Sequence, residues 1–195
     1  LSGMTAGDQI GSGGVSVLSN GNYVVRSPSW NNDIAANAGA VTWGSGVSGV
    51  SGVVSAANSL VGSTGNDRVG HSNLLALGNG NYVVRSHEWN NAGITDAGAV
   101  TWGNGAIGTS GVISAANSLV GSTANDQVGN GGVKALENGN YVVSAGLWDN
   151  GANADVGAVT WGNGTTGVTG FISVTNSLVC GTAGDGIGAV TALPN

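Results

Sequence analysis

Asn20-Gly21-Asn22-Tyr23-Val24-Val25 is the stretch on which the fold of this chain depends. It returns at residues 79–84 and 138–143, a step of 59 residues, and a step of that size is typical of solenoids, propellers and arrays. The same step relates three further sets of residues: Trp30, Trp89 and Trp148; Trp43, Trp102 and Trp161; Asp8, Asp67, Asp126 and Asp185. The period predicts three repeats, residues 1–59, 60–118 and 119–177, and a partial fourth repeat, residues 178–195.

Composition predicts an all-β chain that has no affinity for nucleic acids. Gly accounts for 38 of the 195 residues, and strong helix formers are scarce. Only 4 residues are Lys or Arg, against 10 Asp or Glu, so the chain has few cations with which to neutralise phosphates or anionic lipids. No run approaches the roughly 18 apolar residues of a membrane span. Nucleic acid and membrane insertion are therefore not expected.

Each repeat contains four candidate strands. In the first repeat, Asn20-Gly21 predicts a type I′ turn that joins strands at residues 15–18 and 23–26. A polar loop then leads to a third strand at residues 39–43, and a Gly-rich turn leads to a fourth at residues 52–56. The pattern predicts tandem four-stranded antiparallel blades of the β-propeller kind. The alternative is a parallel β-solenoid with coils of about twenty residues.

The third repeat resembles the FG-GAP blade of integrin-alpha-type propellers. The segments that carry the resemblance are residues 118–121, 125–129, 133–136, 141–143 and 157–161. Two departures from that blade are clear. Its Phe is replaced by Ile or Val, and the Asp-rich calcium loop of many members is reduced to Asn-Gly, which lacks the carboxylates that calcium needs. The resemblance therefore implies a blade fold without calcium.

The 59-residue unit is also similar to long tandem repeats in large secreted bacterial proteins of the filamentous-haemagglutinin and adhesin type. That similarity implies a secreted or extracellular location on the bacterial cell surface. The chain begins at Leu1 without a basic-then-apolar leader, so we expect a mature product or a piece of a longer protein. Cys180 stands where two other repeats have Gly, and we expect an inert thiol or an intermolecular bridge.

Residues able to support catalysis are few. His71 and His87 occur in the second repeat alone, and Glu88 next to His87 is expected to point to the opposite face of an extended strand. The recurring Asp residues are interpreted as turn caps, with metal binding as the alternative. The sequence thus predicts no enzyme, no catalytic residues, no metal and no cofactor.

The two sets of Trp residues receive different interpretations. Trp43, Trp102 and Trp161 alternate with Val on a strand and are predicted to lie in the core. The other set lies beside polar side chains, where ring faces and amides together could hold a sugar. The candidate ligand-binding residues are Trp30, Asn31, Trp89, Asn90, Trp148 and Asp149. Alternatively, these rings plug the seam between adjacent blades.

The sequence predicts a non-enzymatic repeat module of a secreted bacterial surface protein, adhesive or structural. The alternative is a multivalent propeller lectin with one weak glycan site per blade. Three blades and part of a fourth do not close a ring of four to eight. We therefore expect self-association into a ring or fibre, or further repeats of a longer chain.

Overall fold

A computed structural model of the chain describes residues 1–187 and 190–192, so the end of the predicted fourth repeat lies outside the described residues. Strands form throughout the three repeats. They are β1 (Gly14–Val17), β2 (Tyr23–Ser27), β3 (Ala40–Gly44), β4 (Ser59–Val61), β5 (Leu75–Ala76), β6 (Tyr82–Ser86), β7 (Ala99–Gly103), β8 (Gly111–Val112), β9 (Leu119–Val120), β10 (Val133–Ala135), β11 (Tyr141–Ala145), β12 (Ala158–Gly162), β13 (Gly170–Phe171) and β14 (Ser177–Val179). None of the described residues belongs to a helix long and apolar enough to cross a membrane.

Each repeat builds one antiparallel meander, which confirms the predicted all-β class and antiparallel sheets. Sheet 1 contains β1-β2-β3-β4, sheet 2 contains β5-β6-β7-β9, and sheet 3 contains β10-β11-β12-β14, in that order; β8 and β13 of the following repeats add a fifth, parallel strand to sheets 1 and 2. Antiparallel pairing within every repeat contradicts the parallel coils of the solenoid alternative. The sheets run a few residues past the predicted repeat boundaries, because β4, β9 and β14 close them.

The central hairpin explains why Gly follows Trp at the end of each third strand. Tyr82 lies directly opposite Gly103 in the ladder between β6 and β7. A Cβ atom on Gly103 would lie 2.1 Å from the ring of Tyr82. The missing side chain therefore makes room for a buried ring, and the same pairing recurs between Tyr141 and Gly162.

The hairpin turn differs from the prediction. Leu18 donates its amide to the carbonyl of Asn22 (2.8 Å), which leaves three loop residues rather than two. Gly21 has a positive φ of 86°, whereas Asn20 is not among the positive-φ residues. The prediction of a type I′ turn is therefore wrong. A three-residue loop with Gly in the left-handed conformation is another common hairpin connection. The side chain of Asn20 binds another repeat, as described below.

The predicted fourth strand also differs. The strand that closes sheet 1 is β4, which pairs antiparallel with β3. The segment around residue 53 instead pairs in parallel with Ser2 of the same repeat. Its equivalents β8 and β13 pair in parallel with β4 and β9, the closing strands of the preceding repeats. β8 and β13 therefore fasten their own repeats to the one before, a long-range pairing that local sequence does not specify.

The core lies between successive sheets. We call the side of a sheet that meets the next repeat its forward face, and the side that meets the previous repeat its rear face. The forward face of sheet 1 consists of Leu18, Val24, Val41, Trp43 and Leu60, and the rear face of sheet 2 includes Tyr82, Val84, Trp89 and Ala99. These residues form one cluster, and sheets 2 and 3 share a second cluster of the same kind. Each repeat thus depends on its neighbour to bury its apolar surface.

Candidate functional site at the junctions between repeats

A buried Asp joins each sheet to the next. Asp67 follows β4 and accepts hydrogen bonds on Oδ2 from the amides of Ser63 (2.9 Å) and Thr64 (2.8 Å). Its Oδ1 accepts from the amide (3.0 Å) and the side-chain Nδ2 (2.8 Å) of Asn90. Asn90 lies in the loop after β6 of sheet 2. We call this arrangement the Asp clamp, because one carboxylate holds two sheets with four donors.

The Asp clamp recurs at the other repeats. Asp126 binds the amides of Ser122, Thr123 and Asp149, and Asp8 binds those of Met4, Thr5 and Asn31. The Asp residues do cap turns, as the sequence predicts, and the turn amides lie three and four residues before each Asp. The residue preceding each Asp, for example Asn66 with φ 65°, has a left-handed conformation, which explains the choice of Gly or Asn there.

Burial and hydrogen bonding act in opposite directions on these carboxylates. Burial raises the pKa of Asp67 and of Asp126 above the usual value, in spite of the amide donors. At Asp8, burial also favours the neutral form, but the donors Thr5, Asn31 and Met4 outweigh it and lower the pKa to about 2. The difference follows from position, because a preceding repeat covers Asp67 and Asp126 but not Asp8.

A second connection is a carbonyl that receives three donors from the preceding repeat. The oxygen of Gly105 accepts from Asn20 Nδ2 (2.8 Å), Asn22 Nδ2 (2.8 Å) and Trp43 Nε1 (2.9 Å). The oxygen of Gly164 accepts from the equivalent atoms of the second repeat, which belong to Asn79, Asn81 and Trp102. We call this arrangement the carbonyl latch. The hairpin loop and the third strand of one repeat thereby bind a single backbone carbonyl of the next repeat.

The latch glycine is also bonded within its own repeat. Gly105 donates its amide to Oδ1 of Asn81 (2.9 Å), while Nδ2 of the same Asn81 donates to Gly164 O (2.9 Å). A Cβ atom on Gly105 would lie 1.7 Å from the carbonyl oxygen of Gly80. Close contact with the hairpin loop therefore requires glycine. The sequence showed these Asn residues recurring, but their turn-forming tendency concealed the bonds between repeats.

The predicted ligand-binding Trp residues lie in the core. Trp30, Trp89 and Trp148 are 6%, 3% and 3% exposed. Their polar neighbours Asn31, Asn90 and Asp149 bind the Asp clamp through their amides, as described above. The structure thus brings these six residues close to the junctions, but it leaves almost no ring face open to a sugar.

The second Trp set, Trp43, Trp102 and Trp161, lies on the sheet faces that meet the next repeat. Trp43 and Trp102 are half-buried, and each covers a glycine of the next repeat. A Cβ atom on Gly108 would lie 2.9 Å from Cβ of Trp43, and one on Gly167 would lie 2.7 Å from Cβ of Trp102. Trp161 is 53% exposed. The prediction that this set forms the core is therefore wrong for Trp161 and incomplete for the other two.

The two histidines meet at one glutamate. Glu88 Oε1 lies 3.6 Å from His71 Nδ1 and 3.9 Å from His87 Nε2, and Ser72 Oγ lies 3.0 Å from His87 Nδ1. The expectation that His87 and Glu88 point apart is wrong, because β6 ends at Ser86 and the two residues occupy a turn. No group of three metal-ligating side chains is present in the described part of the chain.

The His87 environment predicts a pH-dependent stability. Burial lowers the pKa of His87, with His71 and Arg85 adding to this and Glu88 opposing it. Because the unfolded chain binds the proton more readily, the contribution of His87 is fully present above about pH 6.5 and declines as pH falls below it. We expect the urea midpoint of the wild type to fall more steeply below that pH than that of His87→Gln. Equal pH profiles for the two proteins would refute this assignment.

Cys180 lies beside the position of the clamp in the last repeat. The chain has this thiol free and partly exposed, at the position of Gly121. A Cβ atom on Gly121 would lie 2.7 Å from Cβ of Asp126, so a side chain there interferes with the clamp. Asp185 is exposed, and among the described residues it accepts one hydrogen bond, from the amide of Thr182 (3.0 Å).

Comparison with known proteins identifies the repeat. Three segments, residues 17–71, 76–130 and 135–189, match the family described as "Repeat of unknown function (DUF5650)". The matches begin 59 residues apart and together cover most of the chain. No curated protein matches the chain.

Proposed function

Because the chain belongs to DUF5650, a family of repeats of unknown function, we propose a role that resides in the repeat itself. The chain is a non-enzymatic scaffold module of a secreted bacterial surface protein, adhesive or structural, that forms part of a fibre or stalk. The resemblance to FG-GAP blades and to filamentous-haemagglutinin-type repeats supports an extracellular location. The role requires repeats that are held rigidly to one another.

The observation that carries the proposal is the use made of the recurring polar residues. Asp67 and Asn90 join sheet 1 to sheet 2, and Asn20, Asn22 and Trp43 bind the Gly105 carbonyl of the next repeat. Enzymes gather such side chains in a pocket that admits a substrate. Here they face the neighbouring repeat, where they supply charge-assisted and multiple hydrogen bonds to a continuous core. Such a pattern supports a role in joining repeats to one another rather than a role in catalysis.

Coupled repeats have a measurable consequence. We expect the purified chain to unfold in urea in one transition that coincides for tryptophan fluorescence and far-ultraviolet circular dichroism, because each core cluster spans two sheets. Separate transitions for separate repeats would contradict the rigid coupling on which the scaffold role depends.

A lectin role is favoured by one feature of the first repeat. A groove of about 300 Å³ lies beside Trp30 and Asn31, and the exposed residues Met4 and Asp33 help to line it. Its mixture of polar and apolar side chains fits a small sugar unit. Because Trp30 is buried, its replacement would disturb folding, so exposed groove residues are the better targets.

A broad glycan array distinguishes the two roles. The scaffold role predicts no saturable binding by the wild-type chain. The lectin role predicts saturable binding to one glycan class that is lost in the double variant Met4→Ala, Asp33→Asn, since both side chains are exposed and Asn tolerates the left-handed φ of 54° at position 33. Binding that survives this double variant would place the glycan elsewhere on the chain.

A further inference from the structure

The forward face of sheet 3 is open, although the same face of sheets 1 and 2 is buried. Leu178 is 73% exposed, whereas its equivalents Leu60 and Leu119 are 1% and 0% exposed. Trp161, Val142 and Val159 on the same face are exposed or half-buried. A contiguous apolar surface of this kind marks an interaction site.

The carbonyl latch on this face is also unfilled. Asn138, Asn140 and Trp161 correspond to the three residues that bind Gly105 and to the three that bind Gly164. Within residues 1–187 and 190–192, their side-chain N–H groups have no acceptor. Asn140 is already oriented, because its Oδ1 accepts from the amide of Gly164 (3.0 Å), as Asn81 does from Gly105. These three N–H groups can therefore donate to one further backbone carbonyl.

The rear face of sheet 1 offers the matching half. Gly46 is the equivalent of Gly105 and Gly164, but it is exposed whereas they are buried. Gly49, the equivalent of the glycines covered by Trp43 and Trp102, is exposed as well. Val15 and Val17 are exposed on the same side of β1.

We propose that the forward face of sheet 3 docks onto the rear face of sheet 1 in a second copy of this chain, head to tail. The partner is specified by the chain itself, because the same two faces already meet at two internal junctions, with the same apolar contacts and the same latch. Trp161 would cover Gly49 and donate to the Gly46 carbonyl of the second copy. The inference rests on the proposed scaffold role and identifies the surface that extends the scaffold.

Docking includes an exchange at the sheet edge. At the internal junctions, Val61 and Val120 pair in parallel with Val112 and Phe171 of the following repeat. In the first repeat, Ser2 occupies that place beside Val53. Residues 1–10 already occupy part of the rear face of sheet 1, where Leu1 and Ile10 pack against the Trp30 cluster. Residues 178–187 of one copy therefore replace residues 1–10 of the next, with Val179 in the place of Ser2, and one set of contacts is exchanged for another. Association should be slow compared with simple collision, since a formed pairing must open first.

Two single variants block one face each. Trp161→Ala removes the ring and the indole donor from the forward face of sheet 3. Gly49→Asn places a side chain where Trp161 must pack, and Asn accepts the φ of 74° at that position. Within its own chain, a Cβ atom at Gly49 meets only Tyr23 Oη, at 3.8 Å, so the fold should be retained.

Sedimentation velocity with reductant present, which prevents bridging by Cys180, tests the inference. We expect the wild type to form dimers and larger species as concentration rises, and each variant alone to remain monomeric. An equimolar mixture of the variants should form dimers and nothing larger, since each supplies the one face that the other lacks. A wild type that stays monomeric at its highest soluble concentration would overturn the inference, and so would a mixture that fails to associate.

A matched control removes an exposed apolar side chain elsewhere. Ile34 is 96% exposed in the loop between β2 and β3, and its equivalents Gly93 and Ala152 are exposed as well, so this position is not part of the internal junctions. We expect Ile34→Ser to associate like the wild type. If this change abolishes association, nonspecific apolar contact explains it and the specific docking is wrong. Failure of docking leaves the cooperative unfolding test of the scaffold role unaffected, so the two proposals fail separately.

Discussion

Asp67→Asn is expected to lower the free energy of unfolding by about 3 kcal/mol, because each buried group left without a partner costs about 1–3 kcal/mol. The carboxylate of Asp67 accepts two donors on each oxygen. An Asn side chain presents one oxygen and one NH₂ group, so two donors must face another donor whichever way the amide points. Urea unfolding followed by tryptophan fluorescence measures the change.

Asp185→Asn is the matched control for this prediction. Asp185 stands at the same position of the repeat, but it is exposed and accepts one hydrogen bond. We expect a change within about 0.5 kcal/mol, as for ordinary surface substitutions. Similar losses at Asp67 and Asp185 would show that turn formation alone, and not the connection between sheets, accounts for the recurring Asp.

Gly105→Ala should lower the free energy of unfolding by about 3 kcal/mol, through overpacking and the loss of hydrogen bonds. The added methyl group would lie 1.7 Å from the carbonyl oxygen of Gly80, a backbone atom that cannot move without opening the hairpin loop. Displacement of the Gly105 peptide also takes its oxygen away from Trp43 Nε1. Urea unfolding measures the stability, and hydrogen exchange of the Trp43 indole N–H reports directly on the latch.

Gly78→Ala provides the comparison for Gly105→Ala. A Cβ atom on Gly78 would meet no heavy atom within 4 Å, and the residue has no left-handed φ. The substitution should leave stability nearly unchanged and keep the Trp43 indole protected. Rapid exchange of that indole in both variants would show that the latch is open in the wild type as well.

The repeat period and the antiparallel hairpins could be predicted from sequence, since both depend on local signals. Asn20-Gly21 marks a turn, and the alternation around Val41 marks a strand. The fourth strand could not be assigned locally. Val53 and Ser59 both lie in short β-prone segments, and pairing with residues distant in sequence, Ser2 and Thr42, decides which one closes the sheet. Partner choice over long separation is not encoded in a single segment.

The hydrogen bonds of the Asp clamp and the carbonyl latch could not be predicted from sequence for a different reason. Asn and Asp are typical turn residues, so their recurrence at Asn22 and Asp67 had a sufficient local explanation. The side chain of Asn22 in fact binds Gly105 of the next repeat, and that of Asp67 binds Asn90 of the next sheet. Sequence alone could not decide between the two interpretations of the first Trp set, because a ring beside amides, as at Trp30, fits sugar binding and core packing equally well. The depth of burial separates the two, and it depends on the stacking of whole sheets.

The carbonyl latch limits how such proteins can change in length during evolution. Insertion of one residue between Ala99 and Gly105, in β7 or the turn that follows it, would move the Gly105 oxygen away from three donors at once, while its amide would lose Asn81. Duplication or deletion of a complete unit leaves every such contact in place. Genes for these arrays should therefore differ between strains by multiples of a whole unit, through recombination between near-identical copies, far more often than by short insertions.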